Sequence, residues 1–180
     1  MLQCRPETPE DAEAIRQVLQ GSFPTPSEAR LVEILREADQ FIASIVAERD
    51  GEVVGHVAFS PVTVGKVVGA GLAPVAVGQE HRKRGIAARM IREGLSTCKR
   101  QGFGFVVVLG DPKYYGRFGF RPASQWRLVD EYDGGDYFQA LELTPGSIPQ
   151  DGGLVKYGAA FAMFSDDASH GQGVSEEPGT

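Results

Sequence analysis

The sequence predicts an α/β (α+β) domain: a mixed, mostly antiparallel sheet flanked by helices. Three observations carry that prediction. Apolar residues recur at helical spacing through the first forty positions, then cluster in short β-rich runs after Phe41. Asp50-Gly51 separates two such runs, the dipeptide that tight antiparallel hairpins favour. From Leu72 to Leu109 the order strand–helix–strand has the length of a right-handed crossover, which adds a parallel pair.

Thr8-Pro9 offers a cap followed by proline at a first helical position, and Ala12, Ile15, Val18 and Leu19 then follow at helical spacing. Pro24 and Pro26 break that helix, and a second begins at Ser27 with Leu31, Ile34 and Leu35 on one face. The hairpin around Asp50-Gly51 occupies "FIASIVAERDGEVVGHVAFSPVTV". "GLAPVAVG" reads as a short central strand, and because proline cannot donate to a ladder, Pro74 predicts a bulge or splay there. A helix is expected from Gly85 to Arg100, with Ile86, Met90, Ile91, Leu95 and Cys98 inward, ended by Gly102. "FGFVVVLG" is a buried strand, and "DYFQALEL" and "GLVKYGAAFAMF" are further β-like runs.

At 180 residues, with 42% apolar residues, the chain can bury one sound core, and no internal repeat divides it. The net charge is −6, but Asp166, Asp167, Glu176 and Glu177 supply four of those charges. Residues 165–180 are therefore expected to be an acidic, disordered tail beyond a domain at 1–164. The acidic balance argues against nucleic acid as the main partner. Cys4 and Cys98 fit no metal or redox spacing, and no apolar run is long enough for a membrane span. A cytoplasmic location without a membrane partner is the default expectation.

Against this background "EHRKRGIAA" stands out. A helix N-terminus presents unpaired N–H groups and roughly half a positive charge, which attracts anions. Gly85 lets the backbone approach a ligand, Ala87 keeps the first turn small, and Arg82, Lys83 and Arg84 add charge. The competing reading is a solvated basic run. Other phosphate motifs fail: no Gly-Lys-Ser or Gly-Lys-Thr occurs, and "GAGLAP" and "GFGFVV" lack the last glycine of a dinucleotide fingerprint.

"VAVGQEHRKRGIAARMI" resembles the signature of the GCN5-related N-acetyltransferase (GNAT) superfamily, with Arg82, Gly85 and Ala87 at its defining positions. "GLAPVAV", "RGIAARMIREGL" and "VVVLGDPKYYGRFGFRPAS" are similar to the YhbS-like group of bacterial acetyltransferases. The resemblance is densest from Gly71 to Ser124 and extends over Leu2–Phe164.

The resemblance implies the GNAT fold, with two parallel strands splayed apart, and acetyl-CoA as co-substrate. It implies that amides of Arg82, Lys83, Arg84, Gly85, Ile86, Ala87 and Ala88 cradle the pyrophosphate. Val75, Ala76 and Val77 then offer backbone groups to the pantetheine arm, with a backbone N–H near Val75 on the acetyl oxygen. The family's Tyr-x-x-x-Gly-Phe places Tyr115 as general acid for the leaving thiolate, with Tyr114 as its alternative.

Two departures matter. Gly110-Asp111-Pro112 stands where many relatives carry an asparagine, and no glutamate or histidine lies between Gly71 and Val77 to act as base. The base is open between His56, whose ordinary pKa near ~6.5 suits the task, Glu28, and a water relay. The implied activity is N-acetylation of a small-molecule or peptide amine by direct attack in a ternary complex. A non-catalytic acyl-CoA-binding module is the alternative, and O-acetyl or longer-acyl transfer a third. The resemblance also implies a homodimer as a common assembly; no metal is expected.

Overall fold

The computed structural model describes residues 1–164, and the acidic tail lies outside them. The secondary elements are β1 (Leu2–Pro6), α1 (Ala12–Ser22), α2 (Ser27–Glu37), β2 (Ala43–Arg49), β3 (Glu52–Val64), β4 (Val67–Val77) and α3 (Ile86–Arg100). They continue with β5 (Phe105–Leu109), α4 (Pro112–Tyr115), β6 (Arg121–Pro122), β7 (Leu128–Asp130), β8 (Phe138–Glu142) and β9 (Gly153–Tyr157). The nine described strands form one sheet in the order β1-β2-β3-β4-β5-β8-β6, with β9 pairing with β3 and β7 pairing with β9. Among the described strands only β4–β5 and β7–β9 pair in parallel.

The first helix starts where Thr8 precedes a single 3-10 turn. The Asp11 carboxylate accepts the Thr8 backbone N–H at 2.7 Å and two hydrogen bonds from the Arg5 guanidinium of β1. Those bonds from Arg5 hold its pKa at about 2. Ile15 and Leu19 are buried beneath α1, and Leu31 and Leu35 beneath α2. At the β2–β3 turn both Asp50 and Gly51 have positive φ, 52° and 88°, as a two-residue hairpin of matching twist requires.

β4 is longer than the short strand expected at "GLAPVAVG", for it begins at Val67 after a second hairpin at Gly65-Lys66. Glycine disguised the added half. A Cβ at Gly69 would lie 2.4 Å from the Phe105 ring, and one at Gly71 would lie 2.8 Å from Val62 and 3.2 Å from the Tyr157 ring. Pro74, joined to Ala73 by a cis peptide bond, produces the irregularity its type predicts. Val57 pairs with Val75 and Phe59 with Leu72, so Ala73 and Pro74 together oppose Ala58.

The decisive feature is the contact between β4 and β5, which is confined to Ala70 opposite Val106 and Gly71 opposite Val107. From Leu72 onward the two strands part. α3 packs on the β4 side of that gap: Ile86, Met90, Ile91, Leu95 and Cys98 join the main core, and the helix lies mainly over β2, β3 and β4. It ends as the glycine predicts, with Gly102 N–H donating to Lys99 O and Phe103 N–H to Cys98 O, both at 3.1 Å. Three strands have no counterpart in the expectations above: β1, β6 and β7.

Candidate active site

At the mouth of the splay, β4 gives way to one 3-10 turn (Gln79–His81) and then to α3. Lys83 and Gly85 both take left-handed conformations, φ 61° and 73°, which turn the chain sharply into the helix. The helical ladder begins with Arg89 N–H donating to Gly85 O, so the amides of Ile86, Ala87 and Ala88 precede the first rung. These amides, with Val77, His81, Arg82, Lys83 and Gly85, line a cleft whose opposite wall is Tyr114 and Arg117. Arg82 is anchored by its Nε donating to Val77 O at 3.1 Å. Arg84 is exposed and outside the lining residues. The side chains of Val75, Ala76 and Val77 are buried, at 2–3% exposure, so they present backbone rather than side chain.

The tyrosine pair is set by the exit from β5. Asp111 caps α4, its carboxylate accepting Lys113 N–H at 2.8 Å, with Pro112 in the first turn. The Asp111 side chain thus serves the helix. Tyr114 lies under the Arg117 guanidinium, 4.3 Å from its ring centroid, and faces the cleft. Tyr115 does not line this cleft; its ring packs against Gly110 at the exit of β5 and edge-on to Phe120 at 5.8 Å. Gln139 on β8, buried and unforeseen, donates from Nε2 to Gly110 O at 3.0 Å and so fixes the end of β5. Arg92 of α3 stacks over Phe118 at 5.3 Å, tying the aromatic cluster to the helix that bears the turn.

His56 is fully buried on β3, directly opposite Ala76 of β4. Its Nε2 is 2.8 Å from Ser44 Oγ and 3.5 Å from Glu7 Oε2. Ser44 Oγ makes a short hydrogen bond to Glu7, and Arg36 of α2 grips the same carboxylate through Nε (2.8 Å) and Nη2 (3.2 Å). Burial opposes ionisation of Glu7, but the hydrogen bonds from His56, Arg36 and Ser44 outweigh it and hold its pKa at about 2. Burial lowers the His56 pKa from its ordinary value, against the pull of Glu7. Nothing in the sequence joins these residues, which come from four separate segments.

Glu28 sits in the first turn of α2, half-buried, with Thr25 Oγ1 3.5 Å away. Cys98 is wholly buried in α3 and its thiol is pushed up to about 12 by that burial, which removes it as a nucleophile.

A basic turn with free amides at the head of α3, opening onto two parted parallel strands, is the arrangement of an acyltransferase of the GNAT type. The family profile described as "Acetyltransferase (GNAT) domain" matches residues 3–123, and the chain belongs to that family. It is 39% identical over 164 residues to the uncharacterized N-acetyltransferase YhbS of Escherichia coli K12, covering 89% of this chain and 98% of that protein. The crystal structure of Escherichia coli YhbS in complex with CoA superposes with a TM-score of 0.85 at 38% identity, over 89% of this chain and 92% of that one. A GNAT acetyltransferase from Brucella melitensis in complex with acetyl-CoA gives 0.76 at 39% identity, over 89% and 98%.

Proposed function

We propose that this chain is an acetyl-CoA-dependent N-acetyltransferase, acting on a small-molecule or peptide amine by direct attack in a ternary complex, with residues 1–164 as the catalytic domain. The observation that carries this reading is the coincidence of two features: the amide-rich turn before α3 and the loss of β4–β5 pairing immediately beside it. One suits a pyrophosphate; the other leaves strand edges for an amide-bearing arm. That two relatives at 38–39% identity were solved with CoA or acetyl-CoA supports the assignment.

In this reading the amides from Arg82 to Ala88 hold the pyrophosphate, with Arg82 and Lys83 adding charge. Backbone groups of Val75, Ala76 and Val77 receive the pantetheine, and a backbone N–H near Val75 stabilises the oxyanion. Tyr115 protonates the departing thiolate, its ordinary pKa near ~10 matching that task, while Tyr114 and Arg117 form the cleft wall. His56 and Glu28 are the candidate proton acceptors.

Thermal unfolding with acetyl-CoA, CoA and ATP tests the reading. At ligand 100-fold above Kd, linkage gives about 2.7 kcal/mol, or roughly 5–11 °C for a domain of this size. Shifts with both CoA forms and none with ATP are expected; no shift at millimolar CoA refutes the assignment. The absence of a carboxylate or imidazole between Gly71 and Val77 favours one second reading, a non-catalytic acyl-CoA-binding module. Its mark is binding without thiol release, whatever amine is offered.

A further inference from the structure

The Glu7–Ser44–His56 chain fixes which nitrogen of the imidazole carries its proton. Glu7, held ionised, can only accept hydrogen bonds. Ser44 has one hydroxyl proton, and its short bond to Glu7 uses it. The 2.8 Å contact between Ser44 Oγ and His56 Nε2 must then run from the ring to the hydroxyl. His56 is therefore the Nε2–H tautomer, and its Nδ1 bears a lone pair.

That Nδ1 is buried and has no protein hydrogen-bond partner. Buried polar atoms are nearly always satisfied, so this lone pair calls for a partner from outside the chain, a water or a bound molecule. Directly opposite residues in an antiparallel pair share a face, so His56 lies on the same face as Ala76, one strand from the splayed segment Leu72–Val77. Ser60, four residues along and opposite Gly71, is a second buried side chain with an unpartnered oxygen on that face. The two unpartnered atoms bracket the stretch where β4 has left β5.

We propose that His56 Nδ1 is the proton acceptor for the incoming amine, with Ser44 and Glu7 as positioning residues that enforce its tautomer. The inference rests on the acetyl-CoA reading above. As the amine nitrogen bonds to the acetyl carbon and the C–S bond breaks, one amine proton passes to Nδ1, directly or through one water. Tyr115 supplies the proton that the thiolate takes. The imidazolium so formed lies beside the Glu7 carboxylate, which balances its charge. Arg36 from α2 and Asp11 at the head of α1 are the other charged groups acting on the ring. Because burial keeps the ring neutral at pH 7, the acceptor is available there and is lost as acid protonates it.

Long-range 1H–15N NMR of the full chain with acetyl-CoA bound reads the tautomer without needing an acceptor. We expect a neutral ring protonated at Nε2 at pH 7, and Ser44→Ala should relax that preference. A ring protonated at Nδ1, or a doubly protonated ring, overturns the proposal. The second measurement is thiol release from acetyl-CoA to a panel of primary amines, with water as the acceptor always present. His56→Gln should lower it by about 10²–10⁴-fold with CoA affinity, by calorimetry, within about twofold of wild type; Ser44→Ala should shift the acid limb of the pH–rate profile. An unchanged rate in His56→Gln overturns the proposal. Loss of CoA binding in the wild type instead refutes the acetyl-CoA reading, and the tautomer result distinguishes the two failures.

Discussion

Gly110 is glycine because the Tyr115 ring occupies the space of its side chain: a Cβ there would sit 2.2 Å from Tyr115 Cε2. Gly110→Ala should therefore act as a probe of Tyr115. We expect it to cost about 1–3 kcal/mol of stability by overpacking and to depress turnover, while CoA affinity stays near wild type. Thermal melts and single-turnover thiol release check both halves. Tyr115→Phe should keep the fold and lose the acid; full turnover in that variant would remove the role assigned here. Gly85 is glycine for another reason. Nothing lies within 4 Å of its Cβ position, but its φ of 73° penalises any side chain, so Gly85→Ala should cost about 1–2 kcal/mol through strain alone. At this scale the sequence was informative where chemistry is local. The basic turn, the Tyr-x-x-x-Gly-Phe spacing and the capping of α1 are all written in neighbouring residues. Which tyrosine faces the cleft was not, because that depends on how α4 rolls against Gly110 and Arg117.

Among elements, the Arg36–Glu7–Ser44–His56 chain joins α2, the segment after β1, β2 and β3. It should make stability fall with acid. Glu7 and Asp11 have folded pKa values depressed to about 2 from ordinary values of 4.5 and 3.8. Such groups stabilise above their unfolded pKa, and that contribution is lost as pH falls from about 4.5 towards 2. His56, also depressed, resists protonation in the fold, so the unfolded chain binds its proton first and stability begins to fall below about pH 6.5. Melting temperature should decline in both ranges, and Glu7→Gln should flatten the lower one; an unchanged profile in that variant would deny Glu7 its part. None of this network was legible, since its members lie 8 to 49 residues apart and each, taken singly, is an ordinary polar residue. The elements themselves were largely readable, α3 with its apolar stripe and glycine stop most of all. β1 escaped notice because five residues of a half-buried edge strand carry no strong period. The first half of β4 escaped because Gly69 and Gly71 imitate a loop.

For the whole molecule, the mixed sheet and the β4–α3–β5 crossover followed from the order of periods, and Pro74 announced the bulge. The extent of the splay did not follow, because pairing between β4 and β5 is a long-range property decided by what lies between them. The two residue pairs that join these strands leave the sheet as two blades meeting at one corner, with α3 packed on the blade that holds β1–β4. Backbone amides from Leu72 to Val77 should exchange faster without CoA than with it, as local opening along the seam requires. On the proposed reading, a bound co-substrate would behave as a rivet between the blades. If CoA binds the folded seam and not a locally opened one, it would draw the population away from opening. Limited proteolysis should accordingly cut the free protein faster than the loaded one, so the lifetime of the chain would follow the supply of acyl donor in its surroundings.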